Sequence, residues 1–237
     1  MNRYIGNELE LFKFAHNWKK YFSSYIIPYL KGNIIEIGAG IGATTKFLNK
    51  SSSIKNWYCY EPDITLLDHI KVQINSKKLP LNTACVSDAS TLDYINVNTI
   101  IYVDVLEHIE NDEIELINLY KKMQKDAYLI ILVPAFNFLF NEFDLSIGHY
   151  RRYNKKYFSN LDSSMTFRLS TWKNSLIFFG AMGFGSSYEH YSFKPYTDYD
   201  ENTLLDLFKH DDLGSIYKNT LLAISGGKFQ LSKALFD

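Results

Sequence analysis

Glu36-Ile37-Gly38-Ala39-Gly40-Ile41-Gly42 is the stretch on which the fold turns. It closes a short apolar run at residues 33–38, NIIEIG, and opens a segment at 42–50 with helical character. A buried strand, a glycine turn and a helix in that order make the first unit of a parallel α/β sheet. Glycines at such a turn let the backbone approach a ligand closely and aim helix N-terminal amides at it. Gly38, Gly40 and Ala43 also satisfy the dinucleotide pattern, in which Ala replaces the third glycine, so the glycines alone do not choose a ligand. Glu36 does discriminate. A carboxylate beside this turn repels an anionic pyrophosphate and favours a ligand that carries cationic groups.

Outward from that turn, strands and helices alternate. Further strands read at 56–60, 81–87, 99–104 and 127–133, with helices at 63–76 and 110–125. This alternation predicts an α/β, doubly wound, Rossmann-like sheet with helices on both faces. Residues 1–32 read as an N-terminal helical cap, with Leu11, Phe14, Ala15, Trp18 and Phe22 at helical spacing. A helix at 154–161, a sixth strand at 166–171 and a final strand at 229–236 complete the pattern. Residues 173–228, rich in aromatics, read as an insertion before that last strand and over the ligand edge of the sheet. All 237 residues are expected to form one domain.

Composition narrows the function classes. The chain carries 25 Lys+Arg against 26 Asp+Glu, a net charge of -1 that argues against a nucleic-acid partner. Its two cysteines, Cys59 and Cys85, fall in predicted strands and read as reduced core thiols. The apolar run at 127–140 is too short for a bilayer and contains Pro134 and Asn137, so no membrane span is expected. The first residues lack the layout of a signal peptide, which makes a cytoplasmic location the expectation. A homodimer is compatible with this chain.

Acidic residues close the later strands. Glu61, in Tyr60-Glu61-Pro62-Asp63, ends the second strand about twenty residues beyond the glycines, where an acid accepts hydrogen bonds from ribose hydroxyls. Asp88 and Ala89 follow the third strand, where an acceptor suits an adenine amino group. The fourth strand runs into Asp104-Val105-Leu106-Glu107-His108-Ile109, at the carboxyl edge where doubly wound sheets bind ligands.

With EIGAGIG, YEPD and DVLEHI in this order, the chain resembles the class I S-adenosylmethionine (SAM) dependent methyltransferases, over about residues 30–150. The resemblance implies a seven-stranded, mostly parallel sheet with an antiparallel last strand, and SAM as cofactor. It implies that Glu36, Gly38, Ala39 and Gly40 line the methionine end of SAM and that Glu61 and Pro62 flank the ribose. It further implies that Asp88 and Ala89 meet adenine and that Asp104 and Val105 border the sulfonium. Gly148-His149-Tyr150-Arg151-Arg152-Tyr153 resembles a GHxRRY segment found in a subgroup that modifies glycans or small metabolites.

Chemistry at the acceptor then falls to His149 first and His108 second, because imidazole is the side chain best suited to take a proton near neutral pH. Arg151 and Arg152 are candidates to hold an anionic group of the substrate. Acid–His groups such as Glu107-His108 can line an acceptor site or recruit a metal, but more often they start a helix, and no metal is expected. Tyr4, Tyr21, Tyr60 and Tyr102 are candidates to face the sulfonium. The expected activity is methyl transfer to an oxygen or nitrogen of a small-molecule acceptor, a sugar or glycan precursor among them. The rival readings are an NAD-dependent oxidoreductase, which Glu36 disfavours, and a SAM-fold binding module without turnover.

Overall fold

The computed structural model describes residues 9, 12, 13, 15–124 and 126–161 and two strand segments, 168–171 and 220–225. Its strands are β1 (Gly32–Ile37), β2 (Ile54–Tyr60), β3 (Thr83–Val86), β4 (Thr99–Val103), β5 (Tyr128–Pro134), β6 (Arg168–Thr171) and β7 (Thr220–Ser225). The helices are α1 (His16–Ile26), α2 (Thr45–Leu48), α3 (Ile64–Asn75), α4 (Asp112–Lys122), α5 (Glu142–Ser146) and α6 (Lys155–Ser159). The strands lie in the order β3-β2-β1-β4-β5-β7-β6. The first five are mutually parallel, while β7 runs antiparallel to both β5 and β6.

The central strands β1, β4 and β5 are buried on both faces, as β4 (TIIYV) and β5 (YLIILVP) require with their nearly unbroken apolar sequences. Alternate residues point to opposite layers. Ile34, Ile101, Ile130 and Leu132 pack with Trp18, Phe22 and Ile26 of α1 and Ile70 of α3. Ile35, Ile100, Tyr102, Leu129 and Ile131 pack on the other face with Leu116 and Leu119 of α4 and Phe158 of α6. The doubly wound reading is therefore correct. Tyr102 belongs to this core and donates to Glu115 Oε1 at 2.8 Å, so it does not face a ligand.

The last described strand, β7 at Thr220–Ser225, lies inside the span read as insertion, and the strand expected at 229–236 falls outside the described residues. The β7 sequence, TLLAIS, is a continuous apolar run between polar ends, a pattern that by itself names no partner strand. Pairing with β5 decides, in the register Leu129↔Ser225 to Pro134↔Thr220. Residues 229–236, the remainder of 173–228, and Tyr4 lie outside the described residues. Among the described residues no helix is long and apolar enough to cross a membrane.

Local sequence sets the helix ends that matter below. Asp63 caps α3, its carboxylate accepting from the amides of Thr65 and Leu66 at 2.8 and 3.3 Å. The helix α4 begins at Asp112 rather than near 110, because Leu106–His108 form a separate 3₁₀ turn. The sequence reading missed α5 altogether. Its signal was present: Asn141 and Asp144 form a capping box.

Candidate functional site

The order of the sheet reverses at β1, which pairs with β2 on one side and β4 on the other. The carboxyl ends of these strands diverge there and leave a crevice for a ligand. The loops after β1 and β4 meet at Gly38. Its φ is +64°, and a Cβ on it would stand 2.6 Å from Val105 Cγ2. Only glycine allows that backbone and that contact together.

Glu61 ties this loop to β2. One carboxylate oxygen accepts from the Gly40 amide at 2.8 Å and the other from the Asp63 amide at 3.0 Å. Burial raises its pKa above the ordinary carboxylate value. Pro62 separates these two anchors and is exposed. Ala39 is buried beneath the turn, its amide donating to the Tyr60 carbonyl at 3.1 Å.

Glu36 occupies a different place from the one its motif suggests. It is 2% exposed, and its Oε2 accepts from Thr45 Oγ1 at 2.5 Å and Trp57 Nε1 at 2.8 Å. The carboxyl thus holds β1, β2 and the start of α2 together from inside the core. Burial pushes its pKa up to about 7 against these donors. Asp88 lies further along the same edge, exposed, and accepts from the Ser90 amide at 2.8 Å; hydrogen bonds from the Ser90 hydroxyl and then its amide lower the Asp88 pKa, and Ala89 beside it is half-buried.

Asp104 follows β4 in the left-handed region at φ 54°, a conformation that costs a non-glycine residue about 1–2 kcal/mol. Burial raises its carboxyl to about 7, opposed by the charge of Lys19. Lys19 is itself 5% exposed on α1; burial lowers its pKa to about 8, while Asp104 raises it. The sequence reading missed Lys19, a charge set among the apolar positions of a helix that packs on the sheet.

On the β5 side of this edge His149 is brought to His108, their rings edge to face at 4.6 Å. His149 Nδ1 lies 2.9 Å from Asp144 Oδ1, and Arg152 Nε binds both oxygens of the same carboxylate at 3.0 Å. The other ring nitrogen, Nε2, stands 3.8 Å from Glu107 Oε1. Glu107 is fully buried, and neither of its carboxylate oxygens has a hydrogen-bond donor among the described residues. Burial, then the charge of Asp104, drive its pKa well above normal. Burial, then His149, depress His108 to about 4.

The two arginines do not wait for a substrate. Arg152 is committed to Asp144, and Arg151 binds the Asp112 carboxylate and the Glu110 carbonyl. Tyr153 completes the second group by donating to Asp112 Oδ2 at 2.7 Å.

No family model matches the chain, and no curated protein does. Solved structures match its shape. A SAM-dependent methyltransferase from Archaeoglobus fulgidus aligns with a TM-score of 0.60 and 14% identity, over 92% of this chain and 98% of that one. A chain of the Haloferax volcanii complex between the Trm112 methyltransferase activator and a methyltransferase aligns at 0.60 and 11%, over 94% and 92%. Haemonchus contortus phosphoethanolamine N-methyltransferase 2, solved with phosphomonomethylethanolamine and S-adenosylhomocysteine, aligns at 0.59 and 11%, over 92% and 57%. At such identities the likeness establishes the fold, which is the one that these methyltransferases share.

Proposed function

We propose that the chain is a SAM-dependent methyltransferase acting on an oxygen or nitrogen of a small-molecule acceptor. The observation that carries this reading is the joining of Glu61 to the glycine loop through the Gly40 amide, at the sheet's reversal point. Each ionised carboxylate oxygen offers about two acceptor positions, so Glu61 keeps capacity for two hydroxyl donors after binding Gly40 and Asp63. That donor requirement fits the ribose of a nucleoside cofactor. Gly38, Ala39 and Gly40 would present backbone to the methionine end, Pro62, Asp88 and Ala89 would border the nucleoside, and Asp104 and Val105 would border the sulfonium.

When bound, SAM supplies an electrophilic methyl group on a sulfonium. The residues of the chain then have two tasks. Asp104 provides negative charge near a cationic centre, with Lys19 limiting its excess. His149, oriented by Asp144, and His108 stand on the acceptor side, where they hold or receive a proton. Positioning of the partners can itself contribute about 7–11 kcal/mol to lowering the barrier. The GHxRRY likeness favours a sugar or glycan precursor as acceptor, and the bound amine of the Haemonchus enzyme supports a small molecule generally.

Isothermal titration calorimetry with S-adenosylhomocysteine and with NAD tests the reading. Binding of the first and none of the second is expected. Heat with NAD alone would replace this reading by the oxidoreductase.

A further inference from the structure

We infer that Glu107, His108 and His149 form a binding site for one divalent first-row transition-metal cation on the acceptor side of the sheet edge. Their three ligand atoms lie within 4.8 Å of one another. A cation at about 2.1 Å from each donor needs a somewhat tighter set, which small side-chain rotations supply.

Three features favour a cation over a plain buried cluster. The first is the Glu107 carboxylate, fully buried with no hydrogen-bond donor on either oxygen among the described residues. An acid so placed is strongly disfavoured unless something compensates it, and protonation alone adds an O–H that also needs a partner. The second is the tautomer of His149. The Asp144 carboxylate can only accept from Nδ1, so that nitrogen carries the proton and the lone pair sits on Nε2, the atom that faces Glu107. A carboxylate behind a histidine is the usual support of a metal-binding imidazole, and Arg152 fixes Asp144 in turn. The third is His108, whose ring stands against that of His149 next to Glu107 in the same 3₁₀ turn.

Two imidazoles and one carboxylate suit manganese, iron, cobalt or zinc better than calcium or magnesium, which prefer oxygen donors. Such a set leaves open coordination positions. Given the methyl transfer proposed above, on which this step rests, an acceptor hydroxyl would take one of them. Its O–H bond then breaks more easily, the proton passes to water, and the electron pair stays on the oxygen. His149 acts in this arrangement as a ligand and not as a free base.

Mn2+ is the probe, because its electron paramagnetic resonance reports both free ion and bound nitrogen. The whole chain is titrated with Mn2+ without SAM, alongside Glu107→Gln and His108→Gln. One ion per chain is expected, with nitrogen couplings in the pulsed spectrum, and each substitution should weaken binding at least about tenfold. Folding of each variant is checked by its melting curve; should Glu107→Gln not fold, His108→Gln carries the test. No binding would overturn the inference, and so would binding without nitrogen couplings or with equal affinity in all three proteins, which would show an adventitious ion only. Calorimetry with S-adenosylhomocysteine on the same samples separates this outcome from failure of the cofactor reading.

Discussion

Replacing Gly38 by alanine tests the contact that closes the candidate cofactor loop. The backbone there has φ +64°, which costs an L-residue about 1–2 kcal/mol. The added methyl would stand 2.6 Å from Val105 Cγ2 and 2.9 Å from Cγ1. Carbon atoms pack at about 3.5–4.0 Å, so Val105 must shift, at about 1–3 kcal/mol for overpacking. Reduced freedom of the unfolded chain offsets only about 0.4–1 kcal/mol. The expected loss is therefore about 1–5 kcal/mol, a fall in Tm of about 2–20 °C for a chain of this size. Thermal melts of Gly38→Ala, Val105→Ala and the double variant check the assignment. Val105→Ala removes the two shortest contacts, leaving Cβ at 3.3 Å and the backbone cost, so the pair should couple by about 1–3 kcal/mol. Strict additivity, or an unchanged Tm in Gly38→Ala, would refute the argument that the two loops brace each other here.

Glu61→Ala should weaken S-adenosylhomocysteine binding by about 1.5–3 kcal/mol while the fold survives; equal affinity by calorimetry would place the ribose elsewhere. Arg152→Met removes the partner of the buried Asp144 carboxylate and should cost about 3–5 kcal/mol in urea denaturation, and a loss under about 1 kcal/mol would count against a buried ion pair. The Glu36 carboxyl, raised from 4.5 to about 7, binds its proton more tightly folded than unfolded. Its stabilising contribution is thus full below the lower value and is lost as pH rises through the higher one. Glu36→Gln imitates the protonated form, so the variant should match the parent near pH 4.5 and exceed it by about 3 kcal/mol at pH 8. A stability difference that does not change with pH would sink that account.

The parallel half of the sheet was legible because β4 and β5 are nearly unbroken apolar runs and β1 is a short one interrupted by Glu36, all bounded by glycine, acid and proline signals. The strand at 220–225 was not, since TLLAIS is a short apolar run inside an aromatic-rich stretch and its place depends on pairing with β5. Among candidate residues, the positions of Glu61 and the glycines at the sheet edge could be read because they follow directly from where a strand ends. Glu36 misled because a motif states which residue ends the strand, not to which side its carboxylate turns; Trp57 and Thr45 draw it inward. The arginines of the GHxRRY segment misled for a related reason. Their partners, Asp112 and Asp144, are remote or inconspicuous in sequence, so the charges looked available when they are spent within the fold.

The segment from Asp144 to Tyr153 is fastened at both ends. The Asp144–Arg152 pair closes it into a noncovalent ring, and Tyr153 exchanges backbone hydrogen bonds with β5 through the Pro134 carbonyl and the Phe136 amide, both at 2.8 Å. The ordering entropy of that loop is therefore spent when the chain folds, not when a ligand arrives. His149 rides on the closed ring already oriented, so a ligand at this end of the edge would lose little affinity to immobilising it. The same stiffness limits how far this wall can adapt, and under the function proposed above it would make the acceptor side selective by shape.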